Sequence, residues 1–507
     1  MSIPALDRPS AASRALRGPG PASGRRRGGR LAPWLLGALA LLLPACGEEA
    51  RTAEPLAPVL LIGVDGLEWD VLGPMIAEGR CPNLRALCER GSYGVLGTFV
   101  PTWSPVVWTS IATGKRMEEH GITGFVDAEN QAFTSSRRDG RALWNIADRY
   151  GLTSNVFGWW ITWPVEEVRG VMVSGTSASA QLTHNWKPAL AEEVAEQVHP
   201  PELEARVLAL AAEAGSAEAV AAVAREKVFR GLAGGVELAD WEKRLVDQTM
   251  WSVQSDATFF RIAADLLPDH PADLSMVYFG GPDVSGHRFW RHAFPEQFEY
   301  GGSSPEVDAA LAPVLTDYYA WVDEMIGELV AIVGENTTVF VVSDHGMHAV
   351  ATKARDPSGN TGNHQDGTPG VLVAAGPGIL RQDEDLDAAV TSGALRIHGS
   401  VTAVPPTILG LLGIPAARDM ASRPYRNFLT EEARQKLEAL ELVPTHDDGF
   451  RAPQHDLLPE SVNADFKQRM SELAYLGLEA PEQSAPVDPR PFLEQDDGPG
   501  SGGDGDG

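Results

Sequence analysis

The sequence is poor in cysteine and in positive charge. Its 507 residues include 3 cysteines, too few for a disulfide scaffold. Lysine and arginine total 41 against 69 aspartate and glutamate residues, a formal charge of -28. This excess of negative charge repels a phosphate backbone, so a nucleic-acid polymer is not an expected partner. Hydrophobic residues make up 43% of the chain, which is typical of a globular protein with one large or two to three ordinary domains.

The few basic residues are concentrated at the amino terminus. Seven arginines and one aspartate precede Cys46, so the rest of the chain has 34 basic and 68 acidic residues, a net charge of -34. The basic segment is followed by an apolar stretch of 14 residues, 31–44, shorter than the about 20 residues of a membrane span. A positive segment, a short apolar segment and then small residues form a secretory signal. The sequence therefore predicts an exported protein.

Residues 43–47, Leu-Pro-Ala-Cys-Gly, resemble a bacterial lipobox, whose cysteine is acylated and becomes the first residue of the mature protein. We expect a signal peptide of the lipoprotein type at 1–45, a tether at 46–57, and attachment to a lipid bilayer through Cys46. Pro44 is unusual in a lipobox, so an uncleaved signal anchor or a plain secreted protein are the alternatives. The expected location is a bacterial cell envelope, facing the periplasm or the cell surface.

Apolar segments of strand length alternate with segments of helical pattern from residue 58 onward. Candidate strands are residues 58–64, 154–157, 170–174, 274–279, 337–342 and 370–375. Candidate helices are residues 83–90, 108–113, 142–150 and 315–334. This alternation predicts a layered α/β fold with a central, largely parallel sheet flanked by helices.

Other segments depart from this alternation. Residues 188–250, rich in alanine, glutamate, leucine and arginine, predict a helical insertion, either a cap over the substrate entrance or a peripheral decoration. C-terminal helices are expected within 431–478, at residues 431–442 and 471–478, followed by a disordered, acidic, glycine-rich tail at 479–507. Cys81 and Cys88 lie about 10 Å apart along a helix that begins at Pro82. A disulfide needs Cα atoms within roughly 7 Å, so two free, buried thiols are expected.

Side chains that bind metals follow several predicted strands, and in open α/β sheets ligands bind at the strand ends. Each residue alone is usually a turn or capping residue, but three Asp, three His and one hydroxyl in this order indicate a site. Aspartate and neutral histidine are good ligands for zinc and similar ions, and six suffice for two ions with open positions. The hydroxyl begins a predicted helix, where the dipole favours an anion. The set is Asp65, Ser104, Asp283, His287, Asp344, His345 and His364.

Several stretches carry a resemblance to a known family, among them GVDGLEWDVL, TWSPVVWTSIATGKRMEEHGITGF, FGGPDVSGHRFW and VVSDHGM. They resemble the alkaline phosphatase superfamily, close to its type I phosphodiesterase/nucleotide pyrophosphatase branch. The resemblance covers about residues 57–430 and implies an alkaline phosphatase-like catalytic domain at 58–430. It also implies a metal-dependent phosphoric ester hydrolase, a phosphodiesterase or phosphatase, that acts through a phosphoseryl intermediate at a two-metal site.

The resemblance implies a role for each residue of the set. Ser104 matches the nucleophile. Asp65, Asp344 and His345 match the ligands of the metal that activates it, and Asp283, His287 and His364 match those of the metal that activates water. The two divalent ions are expected to be zinc, with manganese or another divalent metal as alternatives. Thr102 and Ser110 could replace Ser104, but neither has the family's offset from Gly114.

Two departures from the family's pattern leave open whether the substrate is a phosphate monoester or a diester. Val107 stands where nucleotide pyrophosphatases of the family carry Asn, and no Arg follows Ser104 before Arg116 as in alkaline phosphatases proper. Asn363, Lys115 and Lys353 are candidates for the missing contact. Tryptophans near the motifs could line a leaving-group pocket or belong to the core: Trp103, Trp108, Trp159, Trp160 and Trp163. Three histidines near the motifs are expected to be structural: His120, His348 and His398.

Two other functions remain as alternatives. One is a catalytically inactive surface lipoprotein that uses the fold as a binding module, and the other is a phosphotransferase of the same superfamily. Retention of all seven candidate groups favours the enzyme, since an inactive site need not keep them. The expected partner is a phosphate ester substrate, and the sequence leaves the oligomeric state open.

Overall fold

A computed structural model describes residues 53–175, 194–354, 356, 359–453, 457–472 and 485–486. The predicted signal peptide at 1–45, Cys46 and nearly all of the tail at 479–507 lie outside these residues. Among the described residues, no single helix is both long and apolar enough to cross a membrane. One pair, Pro201–Ala214 and Ala217–Val228, passes that test by length and composition only and is bent by 58°.

Nine of the described strands form a central sheet. In chain order the strands are β1 Val59–Val64, β2 Gly91–Gly97, β3 Phe99–Val100, β4 Ser154–Phe157, β5 Gly170–Val173, β6 Val198–His199, β7 Leu274–Phe279, β8 Thr338–Val342, β9 His348–Ala349, β10 Gly362–Asn363, β11 Gly370–Ala375, β12 Ile397–Ser400 and β13 Ala485–Pro486. The order across the sheet is β12-β2-β11-β8-β1-β7-β4-β5-β6. Only β11 and β6 run against the other seven, which confirms the predicted α/β fold with a largely parallel sheet.

Helices cover both faces of this sheet. In chain order they are α1 Trp69–Ala77, α2 Pro82–Arg90, α3 Ser104–Thr113, α4 Met117–His120, α5 Leu143–Arg149, α6 Glu204–Ala214, α7 Ala217–Val223, α8 Asp240–Asp247, α9 Met250–Leu266, α10 Gly281–Ala293, α11 Pro305–Leu311, α12 Val314–Val333, α13 Leu386–Ser392, α14 Val404–Leu411, α15 Glu431–Ala439 and α16 Glu460–Glu472.

The central strand β1 shows why helices are needed on both faces. Its six residues are all buried, as expected of a strand covered on both sides. Leu60 and Ile62 belong to the core beneath α2 and α12. Val59 and Leu61 belong to the core on the opposite face, beneath α3 and α14. Alternating side chains thereby bind the sheet to both helical layers.

All six predicted strands are present within one residue of their expected bounds. Helix α3 begins four residues before the predicted start, because Pro105 fits the first turn of a helix. Strand β2 was not predicted, because its residues Gly-Ser-Tyr-Gly-Val-Leu-Gly contain no apolar run. This strand is held in the sheet by pairing with β11 and β12 on its two sides.

Residues 188–193 of the predicted insertion lie outside the described part. From residue 194 to 250 the chain forms the short strand β6 and helices α6 to α8, and α9 begins at Met250. Helix α6 packs against α9, which in turn contacts the sheet at β7.

The C-terminal segment contains α15 and α16. Helix α16 spans Glu460–Glu472, whereas the pattern predicted a helix at residues 471–478, and 473–478 lie outside the described part. Of the predicted disordered tail, Ala485–Pro486 is described and pairs with β3. Cys81 and Cys88 are free and buried, which confirms the prediction for these thiols.

Candidate active site

Three neighbouring strands carry most of the predicted metal ligands to one edge of the sheet. Strands β8, β1 and β7 lie side by side and parallel. Asp344 and His345 follow β8, Asp65 follows β1, and α10, which begins two residues after β7, carries Asp283 and His287. His364 follows the short strand β10. All six predicted ligands are buried.

The six side chains form two groups of three. Asp65, Asp344 and His345 make the first group, and Asp283, His287 and His364 make the second; within each group the ligand atoms lie within 4.8 Å of one another. The imidazole rings of His345 and His364 stack with their centroids 3.5 Å apart, so the two groups are adjacent.

The distances within each group fit a bound metal ion. In the first group, His345 Nε2 lies 3.3 Å from Asp65 Oδ1 and 3.3 Å from Asp344 Oδ2. In the second, His287 Nε2 lies 3.2 Å from His364 Nε2 and 3.3 Å from Asp283 Oδ1. A tetrahedral zinc ion with bonds of about 2.0–2.1 Å separates its ligand atoms by about 3.3 Å. Both groups therefore match the size of a zinc site.

Several of these ligand atoms are buried without a hydrogen-bond partner among the described residues: Asp65 Oδ1, Asp283 Oδ1, both carboxylate oxygens of Asp344, and His345 Nε2. Buried polar atoms are rarely left unpaired, because each costs about 1–3 kcal/mol. The other oxygen of Asp65, Oδ2, accepts from Tyr278 at 2.6 Å and from Trp108 at 2.9 Å. Asp65 thus turns its unpaired oxygen toward His345, where a cation would bind.

Each histidine is oriented through its second ring nitrogen. His287 Nδ1 lies 2.8 Å from the Gly362 carbonyl oxygen, and His345 Nδ1 lies 2.9 Å from the Gly346 carbonyl oxygen. A carbonyl oxygen can only accept, so Nδ1 carries a proton, and Nε2 is the nitrogen left to face the predicted metal position. His364 Nδ1 similarly contacts the Thr102 hydroxyl at 3.1 Å.

The carboxylates and imidazoles perturb one another's proton affinity. Burial, followed by the charge of Asp65, raises the pKa of Asp344 well above its usual value. Burial alone would lower the pKa of His345, but Asp344 and Asp65 raise it to about 10. Burial lowers the pKa of His364 well below its usual value, and the neighbouring histidines lower it further. Asp65 and Asp344 are both buried, so a divalent cation bound between them would stabilise their ionised forms.

Ser104 is the first residue of α3 and lines one pocket together with Asp65 and Asp283. The hydroxyls of the two alternative nucleophiles are engaged elsewhere. Thr102 donates to the His364 carbonyl oxygen at 2.8 Å, and Ser110 Oγ lies 3.0 Å from His120 Nε2. Neither of these residues lines the pocket that contains Ser104.

The rest of this pocket is mainly aromatic and hydroxylic. Four aromatic side chains line it: Phe125, Trp160, Trp251 and Tyr278. Its other lining residues are Ser252, Ser255, Asp256, Gly280, Val284 and Met470. No lysine or arginine is among them in the described part of the chain. Of the predicted tryptophans, Trp160 lines the pocket and Trp108 orients Asp65, while Trp103, Trp159 and Trp163 are buried in the core.

None of the three residues named as a possible phosphate contact lines this pocket. Lys115 Nζ forms ion pairs with Asp419 at 2.9 Å and Asp447 at 2.8 Å. Lys353 is exposed. The side-chain oxygen of Asn363 accepts from the backbone N–H of His364 at 2.7 Å.

The three histidines expected to be structural have local partners. His120 Nδ1 accepts from the Ile122 N–H, and burial lowers the pKa of His120 to about 3. His398 Nε2 lies 2.9 Å from the Tyr93 carbonyl oxygen. His348 Nδ1 lies 2.9 Å from the Thr368 hydroxyl.

Two residues that were not predicted, Glu68 and Ser343, connect the turns after β1 and β8. Glu68 accepts from the Met347 N–H at 3.0 Å, and burial raises the pKa of its carboxyl to about 8. Ser343 Oγ accepts from the Leu67 N–H at 2.9 Å and donates to the His345 carbonyl oxygen at 2.6 Å. Glu68 lies within a motif of the resemblance, but no local pattern distinguishes it from a capping residue.

Comparison with known proteins gives a family match. Residues 59–390 match the family described as type I phosphodiesterase / nucleotide pyrophosphatase. No curated protein matches the chain in sequence.

Solved structures similar to this chain are distant in sequence. A putative sulfatase from Bacteroides thetaiotaomicron is 13% identical, with 77% of this chain and 76% of that chain covered and a TM-score of 0.42. Phosphonoacetate hydrolase from Sinorhizobium meliloti is 17% identical, with 58% and 57% covered and a TM-score of 0.33. Murine ectonucleotide pyrophosphatase/phosphodiesterase 5 is 13% identical, with 74% and 100% covered and a TM-score of 0.39.

Proposed function

This chain belongs to the type I phosphodiesterase/nucleotide pyrophosphatase family, and from that premise we propose that it hydrolyses phosphoric diesters through a phosphoseryl intermediate on Ser104. Family membership makes it a phosphoric ester hydrolase. One observation carries the finer proposal: two groups of three metal-binding side chains converge beside the pocket that Ser104 lines.

We assign one divalent ion to each group, with zinc as the metal. The two groups supply two carboxylates with one imidazole and one carboxylate with two imidazoles. Three such ligands leave one position of a tetrahedral ion open, as in catalytic zinc sites. When bound, such ions act as Lewis acids that lower the pKa of hydroxyl groups and neutralise charge on a phosphoryl group.

The residues of this chain then have distinct roles in two displacement steps. Ser104 Oγ forms a bond to phosphorus while the bond from phosphorus to one ester oxygen breaks in line. The proton lost by the serine hydroxyl is balanced by the one that the departing oxygen gains, so this group leaves as an alcohol or phenol. Water next attacks the phosphoseryl group, releases a phosphomonoester and restores the serine hydroxyl. The positive end of the α3 dipole lies at Ser104 and stabilises negative charge on the attacking oxygen and the phosphoryl group.

The lining of the pocket supports a diester rather than a monoester. A monoester carries one more negative charge than a diester, and no lysine or arginine among the described lining residues would balance it. Asp65, Asp256 and Asp283 line the same pocket and disfavour further negative charge. Aromatic walls instead suit the second organic group of a diester.

The first test measures hydrolysis by the purified full-length protein with zinc. We expect kcat/KM for bis(p-nitrophenyl) phosphate to exceed that for p-nitrophenyl phosphate by at least about tenfold, and a chelator to remove activity. Ser104→Ala should lower kcat by at least about 1,000-fold, because the attacking oxygen is lost, while the zinc content stays at two per chain.

Ser110→Ala is the matched control, since it removes a hydroxyl from the same helix but outside the pocket. This variant should keep its activity. Full activity of Ser104→Ala would overturn the nucleophile assignment, and a preference for the monoester would overturn the substrate assignment.

A further inference from the structure

We propose that the C-terminal helix α16 limits the size of the organic group that this enzyme accepts beside Ser104, and that Met470 is the residue that sets the limit. The inference rests on the proposed function, because it concerns the substrate of the same site. The family match does not include this helix: α16 spans Glu460–Glu472, whereas the match covers residues 59–390.

Helix α16 reaches the pocket through one face. Met470 is 2% exposed and lines the pocket that also contains Ser104 and Asp283. Phe466, one turn earlier, packs against Phe125 with ring centroids 6.4 Å apart. Phe125 is itself part of the pocket wall. A residue far along the chain thus completes the wall around the nucleophile.

A buried polar contact fixes the position of this helix. The side chain of Asn463 is fully buried, and its oxygen accepts from the Ala132 N–H at 2.9 Å. Its amide nitrogen donates to the Gln131 side-chain oxygen at 2.8 Å. Asn463, Phe466 and Met470 are three and four residues apart, so they share one face of the helix. Anchoring of Asn463 therefore determines where Met470 points.

The charge and polarity of the pocket lining limit which substrate group can bind beside Met470. The described lining contains carboxylates and aromatic rings but no lysine or arginine, so a negatively charged group is disfavoured there. Ser255 Oγ is buried and has no hydrogen-bond partner among the described residues, and it can bond to one polar atom of a ligand. The expected occupant is a flat organic group of the phosphodiester that carries no negative charge.

Met470 is suited to set a size limit because its side chain is long and unbranched. The aromatic side chains that line the other walls are rigid rings. Shortening Met470 to alanine would enlarge the pocket without touching a predicted metal ligand or Ser104. Differences of one methylene in such a pocket change kcat/KM by about 10–200-fold.

The experiment compares two symmetric diesters, bis(p-nitrophenyl) phosphate and the bulkier bis(4-methylumbelliferyl) phosphate, with zinc-loaded full-length protein. Because each diester carries two identical aryl groups, the group in the pocket is the same whichever of the two binds there. Met470→Ala should raise the ratio of kcat/KM for the large over the small diester by at least about tenfold. Met470→Phe should lower that ratio.

Val462→Ala is the matched control, since Val462 is buried on the same helix but does not line the pocket. It should leave the ratio at the wild-type value. An unchanged ratio in both Met470 variants overturns the inference while wild-type turnover upholds the proposed function. An equal change of this ratio in Val462→Ala also overturns the inference. The ratio would then depend on the stability of the helix and not on Met470 itself. If the zinc-loaded wild type hydrolyses neither diester, the proposed function itself fails.

Discussion

Among single residues, Glu68 shows how a side chain that is not a predicted ligand holds the turns that carry the ligands. Its carboxyl accepts from the Met347 N–H and contacts the Asp70 N–H at 3.3 Å. The backbone N–H of Glu68 donates to the Tyr319 hydroxyl at 3.0 Å. Asp65 lies three residues before Glu68 and His345 lies two before Met347. Glu68 therefore ties the turn that carries one ligand to the turn that carries another.

Substituting Glu68 tests this positioning role. Glu68→Ala leaves the buried Met347 N–H without its partner and should destabilise the fold by about 1–3 kcal/mol. It should also weaken zinc binding by about 10–100-fold, as is typical when groups that orient metal ligands are lost. Competition with a chromophoric chelator measures the affinity, and thermal unfolding measures the stability.

The exposed Glu78 at the end of α1 supplies the control. Glu78→Ala shortens the same type of side chain at an exposed position and should change neither zinc affinity nor stability. Wild-type zinc affinity in Glu68→Ala would show that the two turns hold their ligands without this carboxyl.

At the scale of elements, the approach of α3 to β1 brings the predicted nucleophile to the predicted ligands. Gly63 lies in β1, and a Cβ built there would lie 2.6 Å from Cζ3 of Trp108 in α3. Trp108 also donates to Asp65 and packs edge-on against Tyr278 at 5.2 Å, the second donor to Asp65. Glycine is required at this point because the indole occupies the space of a side chain.

Gly63→Ala should push Trp108 away from the strand and disturb its hydrogen bond to Asp65. Overpacking of this kind costs about 1–3 kcal/mol, so a lower melting temperature is expected. Zinc affinity of the first ligand group should fall, since Asp65 loses a donor that orients it. Calorimetry and zinc titration measure the two effects.

The control for this substitution is Gly234→Ala, because a Cβ at Gly234 meets no atom within 4 Å. It should leave both the melting temperature and zinc binding unchanged. Wild-type stability and zinc binding in Gly63→Ala would mean that the strand and helix separate freely, contrary to the packing described here.

In the molecule as a whole, positive charge is concentrated in the amino-terminal segment and negative charge in the rest of the chain. The leader before Cys46 is basic, whereas the remainder carries a net charge of -34. Three of these carboxylates, on Asp65, Asp283 and Asp344, are buried together where divalent cations would bind. We propose that the leader directs export and that acylated Cys46 anchors the acidic remainder to the cell envelope.

Cys46→Ser tests the anchor. Each buried methylene of an acyl chain contributes about 0.8 kcal/mol to membrane binding, so loss of acylation should move the protein from the membrane to the soluble fraction. Specific activity should stay unchanged, because the predicted site lies elsewhere in the chain. Fractionation, with mass spectrometry of the amino-terminal peptide, provides the measurement.

Cys81→Ala is the comparison variant, since Cys81 is a free and buried thiol within the fold. It should remain with the membrane. Continued membrane association of Cys46→Ser would instead favour the uncleaved signal anchor.

Local patterns in the sequence were enough to predict the class of fold and the set of candidate ligands. Apolar runs that end in Asp65 or in Asp344–His345 are local patterns, and parallel strands bring such ends to one edge of a sheet. This is why residues far apart in sequence could be assigned to one site before any distance was known. The free thiols Cys81 and Cys88 were likewise predictable, because helical rise alone fixes their separation.

The residues that surround that site depend on packing between segments that are distant in sequence. β2 has no apolar run, and its place in the sheet comes from pairing with β11 and β12. Glu68 and Met470 carry no distinctive local pattern, and their roles depend on contacts with residues far along the chain. A strand end is encoded by its own residues, whereas a pocket wall is encoded by whichever segments pack together. The sequence therefore indicated the chemistry, and packing decided the shape of the space in which it acts.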